Sequence, residues 1–435
     1  MSGSEIRMQG NYKILSVKAE VGRWFLVIAG LVIMLCLGAI YAYSVIAVFL
    51  RRVFESPPPE GYGLKVTSTE MQIPFIVFLL VFSLTMPLMG RYIERYGPKK
   101  VAILGAIFVG SGWISASFAN SPWILALLYG VLGGLGVGIA YNCPIVTSTK
   151  WFPDRRGLAV GLTILGFGFS AALIGPLTDI LVANFGVFVT LQIFGVTFLI
   201  LMVLSALLLR FPPEGWKPEG WKPPKRNTAR AATRDLTWRE MVKTRLFYAL
   251  WICYTLGTLA GLMAIGISKQ VGLEVAANSG MSEVEVSALL TNLMIPFAFC
   301  NGFGRPIFGW MTDKLTPRRT AIISFTLIIS ASILIFANRS SITAYIIAFA
   351  ILWLNLGGWL AIAPAATAYF FGTKDYARNY GLIFTAYGVG AIIGNILAGQ
   401  VKDKFGEYIM VFPYVLFLSL LGLIAAAALK PPRKE

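Results

Sequence analysis

One motif occurs twice in this chain, as GRYIERYGPKK at residues 90–100 and as GWMTDKLTPRR at residues 309–319. Each copy has a glycine at the end of an apolar run, an acid four residues later and a basic tail after the following turn. The glycine permits close approach of two helices, and the acid and bases can bridge neighbouring helix ends. Two strong copies 219 residues apart indicate an internal duplication of one helical unit.

Weaker copies of the motif stand at GPLTD, residues 175–179, and at GQVKDKFG, residues 399–406. We interpret the two strong copies as a conformational gate between helix ends. The eight residues assigned to this gate are Gly90, Glu94, Arg95, Gly97, Gly309, Asp313, Lys314 and Arg318.

The composition is that of a membrane protein. Hydrophobic residues make up 57% of the chain and charged residues 13%, and the mean hydropathy is +0.73. Apolar runs of spanning length number twelve. They cover residues 24–50, 71–92, 101–119, 122–148, 158–182, 186–210, 246–268, 284–312, 318–337, 342–370, 380–401 and 407–429. The predicted fold is therefore all-α, with twelve transmembrane helices in two pseudo-symmetric six-helix bundles.

The predicted domains follow from these runs. An N-terminal tail covers residues 1–23, the first bundle 24–210, a linker 211–245, the second bundle 246–429 and a C-terminal tail 430–435. The linker is proline-rich and charged, and it repeats the pentapeptide Glu-Gly-Trp-Lys-Pro. That repeat is either a partner motif or part of an interfacial linker. We expect residues 236–245 to form a short amphipathic surface helix.

The basic residues predict the orientation. With the N-terminus inside, 29 of the 37 Lys and Arg residues lie on the inner side and seven, including Lys269, lie in outer loops. This bias predicts a multi-pass protein of the cell membrane with both termini cytoplasmic. The basic residues on the inner side would face an anionic leaflet of the lipid bilayer. This accounts for the net charge of +17 without binding to nucleic acid. The four cysteines lie in apolar runs and are predicted to be unpaired. The chain has no histidine, which excludes histidine-based metal sites. No cofactor is expected.

Arg305 is the remaining basic residue, and it lies inside the apolar run 284–312. Asp313 is the next charge, roughly 12 Å further along a helix. No other Lys or Arg is expected so deep. A cation there costs several kcal/mol unless it faces water, a partner or an anion. We therefore expect Arg305 to bind an anion that crosses the membrane, with a structural ion pair as the alternative.

Other polar residues within the spans could complete the site. A small carboxylate needs one strong cation and a few hydroxyl or amide donors. Asn301 is one helical turn from Arg305 and shares its face. The remaining candidates are Tyr41, Tyr141, Asn142 and Tyr387. Structural hydrogen bonding is the alternative for Asn301 and Tyr387, and helix packing is the alternative for Tyr41 and Tyr141.

The repeated motif resembles that of the major facilitator superfamily, where it marks the loops between spans 2 and 3 and between spans 8 and 9. Within that superfamily the chain is most similar to the oxalate/formate antiporter family, a relative of the monocarboxylate porters. The segments that carry this likeness are Arg23-Trp24-Phe25, residues 150–159 (KWFPDRRGLA), Arg305-Pro306 and residues 377–381 (ARNYG). The resemblance implies the major facilitator fold, and it implies that Arg305 binds the substrate carboxylate.

Two departures from the family bear on the substrate. The position of a second buried cation in the oxalate carrier falls at Tyr387, and the acid of proton-coupled porters is replaced by Asn301. The predicted function is therefore alternating-access transport, secondary active or facilitative, of a small organic anion, with a lactate- or formate-like monocarboxylate preferred. An oxalate/formate-type dicarboxylate antiporter and a transport-fold nutrient sensor are the alternatives. Symport with a proton, exchange for a counter-anion and uniport stay open.

The sequence does not favour an enzyme, since the spans contain neither a histidine nor a carboxylate dyad. The protein is expected to be a monomer.

Overall fold

The structure is a computed structural model, and it describes residues 12–213, 216–219, 235–281, 283–372 and 375–429. The predicted N-terminal tail up to residue 11, the second copy of the linker repeat beyond Glu219 and the C-terminal tail from residue 430 lie outside the described residues. The four cysteines are all free, as predicted.

Eleven helices in the described part of the chain are long and apolar enough to cross a membrane. One of them, Leu158–Leu208, contains 51 residues and would be about 77 Å long if straight, more than twice the thickness of a hydrocarbon layer. Gly186 divides it, because its backbone is non-helical with φ 77° and ψ 165°. The part of the chain that the structure describes therefore crosses twelve times, and the predicted number of transmembrane helices is confirmed.

We number these helices α1 to α12. The first six are α1 (Ala19–Glu55), α2 (Ser68–Tyr96), α3 (Pro98–Ala116), α4 (Pro122–Trp151), α5 (158–185) and α6 (187–208). The second six are α7 (Arg245–Asn278), α8 (Val286–Leu315), α9 (Pro317–Ala337), α10 (Ile342–Phe371), α11 (Arg378–Phe405) and α12 (Tyr408–Ala427). Helix α1 contains a 3-10 segment at Gly38–Ala42, and α4 contains a π-helical segment at Ala126–Val131.

Smaller elements gather at one end of the bundle, which we call the linker side; the opposite end is the distal side. A hairpin precedes α1, with β1 (Lys13–Ile14) paired to β2 (Val17–Lys18). Trp216 of the linker is buried, and its ring lies 4.7 Å from that of Trp151. The predicted surface helix is only four residues long, Trp238–Met241, because the chain turns there and α7 begins at Arg245.

The two six-helix halves meet mainly along two helix pairs, α2 with α11 and α5 with α8, with smaller contacts between α1 and α7. Glycines allow the backbones to approach closely there. A Cβ built on Gly381 would lie 2.8 Å from Pro87 Cβ, and one built on Gly168 would lie 3.0 Å from Gly302 Cα. Small residues at such crossings are typical of helix packing in membranes. These two seams place the middle of α8 against the middle of α5.

Large apolar side chains cover much of the outer surface. Leu88, Phe118 and Ile424 each expose more than 60% of their area. Many large apolar side chains exposed to this degree are typical of a protein in an apolar environment. It fits a surface that contacts lipid.

The prediction for Lys269 was wrong. We expected it in an outer loop, but α7 continues to Asn278 and Lys269 is 0% exposed inside it. Apolar residues such as Val271 and Val275 keep one face of α7 buried beyond the predicted end of the span. A carboxylate on α5 faces the lysine and makes its burial possible. Arg305 is therefore not the only basic residue buried within the protein, and Arg23, near the start of α1, is 5% exposed as well.

Candidate functional site

Arg305 lies in α8 where this helix crosses α5, and only 4% of it is exposed. Its Nη1 donates a hydrogen bond to the carbonyl oxygen of Ile164 at 2.7 Å, and its Nη2 lies 3.4 Å from Asn301 Oδ1. The buried Nε has no acceptor. Among the residues that the structure describes, no carboxylate forms an ion pair with Arg305. Its charge is thus met only by neutral oxygens, which leaves it free to bind an anion.

Asn301 is held in place by its own contacts. Its amide nitrogen donates to the carbonyl oxygen of Trp353 on α10 at 3.2 Å, which turns its oxygen toward Arg305. Close packing fixes this geometry, because a methyl group on Gly357 would overlap the carbonyl oxygen of Asn301. Helix α10 therefore positions the amide that positions the guanidinium.

All three predicted tyrosines lie near Arg305. The hydroxyls of Tyr41 and Tyr387 are 2.9 Å apart, and Tyr141 is close enough to Arg305 to interact with it. Tyr41, Tyr387, Asn301, Arg305 and Tyr141 all have exposed fractions of 6% or less. The structure thus brings five of the six candidates together in a site that is closed to water.

Asn142 does not join this site. It is partly buried and forms no hydrogen bond to Arg305, Asn301 or the tyrosines. The reason is geometric, since adjacent residues on a helix point about 100° apart. Tyr141 faces the site, and its neighbour faces away from it.

Aromatic rings of Phe82, Phe167 and Phe384 complete the wall of the site. Phe167 lies 5.0 Å from Tyr41 and 5.4 Å from Tyr141, measured between ring centroids. Phe384 stacks on Tyr387 at 5.1 Å, and Phe82 lies 5.5 Å from Phe384. The site is therefore one cation among hydroxyl groups and phenyl rings. Such a site can bind a small anion with an apolar skeleton.

The predicted gate residues all lie on the linker side, at the ends of α2 and α8 and the starts of α3 and α9. Glu94 forms an ion pair with Lys150 at 2.7 Å, within the N-terminal half. Asp313 is exposed and has no ion pair with any residue in the described ranges. Gly97 has φ 81°, and Thr316 at the equivalent place has φ 111°, a region that favours glycine.

A sequence model of the Major Facilitator Superfamily matches residues 26–281 and 267–435, which together span nearly the whole chain. The chain belongs to the major facilitator superfamily. It is a multi-pass membrane transporter rather than an enzyme, and its twelve helices form the major facilitator fold. The predicted family resemblance is thus confirmed.

Named relatives fit the same family. The chain is 29% identical to the oxalate:formate antiporter of Oxalobacter formigenes over 88% of this chain and 86% of the antiporter. It is 25% identical to monocarboxylate transporter 4 of Gallus gallus over 91% of this chain and 80% of that transporter. A bacterial homologue of the human lysosomal transporter Spinster, solved in an inward-facing and unoccupied conformation, superposes with a TM-score of 0.63. That structure is 16% identical, and the match covers 94% of this chain and 96% of that chain.

Proposed function

We propose that this transporter carries a small monocarboxylate by alternating access, and that Arg305 binds its carboxylate. The observation that carries the proposal is the burial of Arg305 against neutral oxygens only. A buried guanidinium without a carboxylate is costly, and an anionic substrate would relieve that cost. The relatives named above, an oxalate:formate antiporter and a monocarboxylate transporter, support an organic anion as the substrate.

Substrate binding would act on the contact between the halves. In the structure Arg305 on α8 donates to the carbonyl oxygen of Ile164 on α5, across the seam. A carboxylate is a stronger acceptor for a guanidinium than a peptide carbonyl, because it carries a full negative charge and can accept two parallel N–H donors. The substrate would displace Ile164 and release one of the contacts that join α5 to α8. Binding would in this way favour movement of one half relative to the other.

The rest of the site would set the size and charge of the substrate. Tyr41, Tyr141 and Tyr387 can donate hydrogen bonds without adding charge, while Phe82 and Phe167 would contact the carbon skeleton. One cation matches one carboxylate, and this favours a lactate- or formate-like monoanion. The second candidate is oxalate/formate exchange, which the 29% identity to the antiporter favours. The coupling would be exchange, uniport, or symport in which the proton does not bind at position 301.

We place the linker side in the cytoplasm of a cell membrane, because 29 of the 37 basic residues are on that side of the predicted topology. The residues around Glu94 and Asp313 would then gate the cytoplasmic entrance. The unit that transports would be the monomer, since both halves of one chain build the site.

Uptake into proteoliposomes tests the proposal. Purified wild type, Arg305→Ala and Arg305→Lys should be compared with labelled lactate, formate and oxalate. Loss of a charge-assisted contact costs about 1.5–3 kcal/mol, so Arg305→Ala should lose about ten- to a hundred-fold in affinity. Arg305→Lys keeps the charge but not the planar fork, and it should retain part of the activity. Normal uptake by a well-folded Arg305→Ala protein would exclude this role. Retained binding without uptake of any anion would favour a nutrient sensor.

A further inference from the structure

A cavity of about 260 Å³ lies on the distal side, between α1, α2, α7, α11 and α12. None of the residues that we assign to the site at Arg305 lines it. Both halves contribute to its wall, with Arg51 on α1 and Lys402 on α11. Arg52 and Glu55 are exposed at its rim, so the cavity opens to the distal surface. Because one water molecule takes up about 30 Å³, a small organic anion would fit here together with water.

The charges around this distal cavity favour an anion. Among the residues that the structure describes, three basic and two acidic side chains line it: Arg51, Arg52, Lys402, Glu55 and Glu274. Both acids already have partners. Glu274 accepts from Lys402 Nζ at 2.6 Å and from Tyr408 N at 2.7 Å. Glu55 accepts from Arg51 Nε at 2.9 Å. The described wall thus keeps a surplus of one positive charge, which attracts anions and repels cations.

Two of the basic groups retain donors for a ligand. Lys402 Nζ donates to Glu274 and to the carbonyl oxygen of Gly406, which leaves the third of its N–H groups. The Arg51 guanidinium has five N–H groups and makes three hydrogen bonds within the protein. Gln270 adds an amide whose Oε1 is buried and has no hydrogen-bond partner in the described part of the chain. A carboxylate in the cavity would therefore find charged donors from both halves.

The remaining wall of the distal cavity is apolar. Ala47 and Val48 come from α1, Met71 from α2 and Leu273 from α7. Charged donors on one part of a wall and short apolar side chains on the rest match a carboxylate with a small carbon skeleton. The ligand class is therefore a small organic acid rather than a bare inorganic ion.

The distal cavity is separate from the site at Arg305. Along α1, Ala47 is six residues beyond Tyr41, or about 9 Å. Along α11, Lys402 is 15 residues beyond Tyr387, or roughly 22 Å. One small anion cannot contact both sets of residues, so the two sites could be occupied independently.

Polar groups without partners lie between the two sites. Ser44 Oγ on α1, both amide atoms of Gln72 on α2 and Asn395 Oδ1 on α11 are buried, and none has a hydrogen-bond partner among the described residues. A Cβ built on Gly266 would overlap Asn395 Oδ1 and lie 3.1 Å from Gln72 Oε1, so the two amides approach each other beside α7. Buried polar atoms without partners are rare. An anion or water that moves between the sites would satisfy them.

We propose that the distal cavity is a second anion-binding site, which binds a small carboxylate between the distal solution and Arg305. Lys402 and Arg51 bind the carboxylate, and the apolar wall contacts its carbon skeleton. Occupation of this site raises the local concentration of the anion at the distal entrance. The choice of anion rests on the proposed function, but binding in the cavity does not require Arg305.

Protection of a cysteine from labelling tests this site directly. Val48 lines the cavity and is only partly buried, which makes Val48→Cys a suitable reporter. It would be introduced after the native Cys36, Cys143, Cys253 and Cys300 have been changed to serine. The readout is the rate at which a membrane-impermeant maleimide, applied from the distal side, labels the introduced thiol. Choline lactate is compared with sodium chloride at the same ionic strength.

Lactate at ten times its dissociation constant should slow labelling about tenfold, because the bound anion covers the thiol. The same protection should persist when Arg305→Ala is added, although that variant should not transport. This result separates the second site from the proposed function, since normal transport by Arg305→Ala would leave the protection to be judged by itself. Protection that disappears with Arg305, or equal protection by sodium chloride, would overturn the proposal.

Lys402→Gln should raise the lactate concentration for half-protection about ten- to a hundred-fold, because a charge-assisted contact is lost. Arg339→Gln is the matched control. Arg339 is a basic residue on the same side but outside the cavity, and it contacts Phe336 in its own loop. Equal shifts in the two variants would contradict a specific site.

A variant that fills the cavity tests the site even if Lys402→Gln does not fold. Ala47→Leu leaves every charge in place and adds bulk to the wall. It should weaken protection by lactate about tenfold, since overpacking of this size costs about 1–3 kcal/mol. Unchanged protection in a folded Ala47→Leu protein would refute binding in the cavity.

Discussion

The hydroxyl oxygens of Tyr41 and Tyr387 lie 2.9 Å apart and join α1 of the N-terminal half to α11 of the C-terminal half. The bond crosses the centre of the molecule beside Phe167 and Phe384. In the proposed function a substrate held by Arg305 would bind against this pair. The hydrogen bond would then contribute both to closing the site and to recognising the anion.

Tyr387→Lys should shift the preference from a monocarboxylate toward a dicarboxylate. A second cation stabilises a second carboxylate, whereas a monoanion leaves it unpaired. Competition between oxalate and lactate for uptake measures the shift. Tyr387→Phe is the control that removes the hydroxyl without adding charge, and it should weaken binding by only about 0.5–1.5 kcal/mol. An unchanged oxalate-to-lactate ratio in Tyr387→Lys would place this residue outside the site.

Gly357→Ala should disturb the site from a distance, because its methyl group would overlap the carbonyl oxygen of Asn301. Overpacking of this kind costs about 1–3 kcal/mol, and here it would also displace the amide that holds Arg305. The melting temperature in detergent and the initial rate of lactate uptake should both be lower than in the wild type. Gly161→Ala is the matched control, since a Cβ on this helical glycine would have no neighbour within 4 Å. Equal losses of melting temperature and of lactate uptake in the two variants would contradict the explanation by overpacking at Gly357.

The number of crossings and the place of Arg305 could be predicted from the sequence, because length and hydropathy determine them. The hydrogen bond from Arg305 to the carbonyl oxygen of Ile164 could not be predicted, because a backbone atom has no signature in the sequence. Tyr141 and Asn142 could not both be expected to face the site, because adjacent residues on a helix point about 100° apart. The domain boundaries and the roles of the site residues stay predictions.

Lys269 shows why charges near the end of a span are difficult to assign. It is one residue beyond the predicted span, and this position favoured a loop. Its partner Asp179 precedes it by 90 residues and lies on another helix. Only the pairing of α5 with α7 makes burial of the lysine favourable, and the sequence alone does not provide that pairing.

Asp154→Asn should destabilise the linker side. Arg23, which is almost fully buried, donates to Asp154 at 2.6 and 2.9 Å and lies 4.4 Å above the Phe152 ring. Losing this charged pair should cost about 1–3 kcal/mol in the free energy of unfolding. Glu55→Gln is the control, because the exposed Arg51–Glu55 pair should contribute less than about 1 kcal/mol.

The same pair should make stability depend on pH. Partial burial alone would raise the pKa of Asp154, but the hydrogen bonds from Arg23 outweigh it and hold the pKa below its usual value. A lowered pKa contributes stability above the ordinary value of about 3.9, and this contribution disappears as the pH falls through the folded value. The difference in melting temperature between wild type and Asp154→Asn should therefore narrow in acid. A constant difference down to about pH 3 would contradict this account.

Asn301→Asp should make transport sensitive to pH. The introduced carboxyl would stand where Asn301 Oδ1 now lies, 3.4 Å from Arg305 Nη2. When ionised it would neutralise the guanidinium and compete with the substrate, and when protonated it would release Arg305. Uptake by the variant should therefore rise as the pH falls, whereas wild-type uptake should change little. The measurement is initial uptake between about pH 5 and pH 8 of an anion that stays ionised throughout. Asn142→Asp adds the same group next to Tyr141 but away from Arg305, and it should behave like the wild type. A strong increase of wild-type uptake in acid would show that proton coupling does not require an acid at position 301.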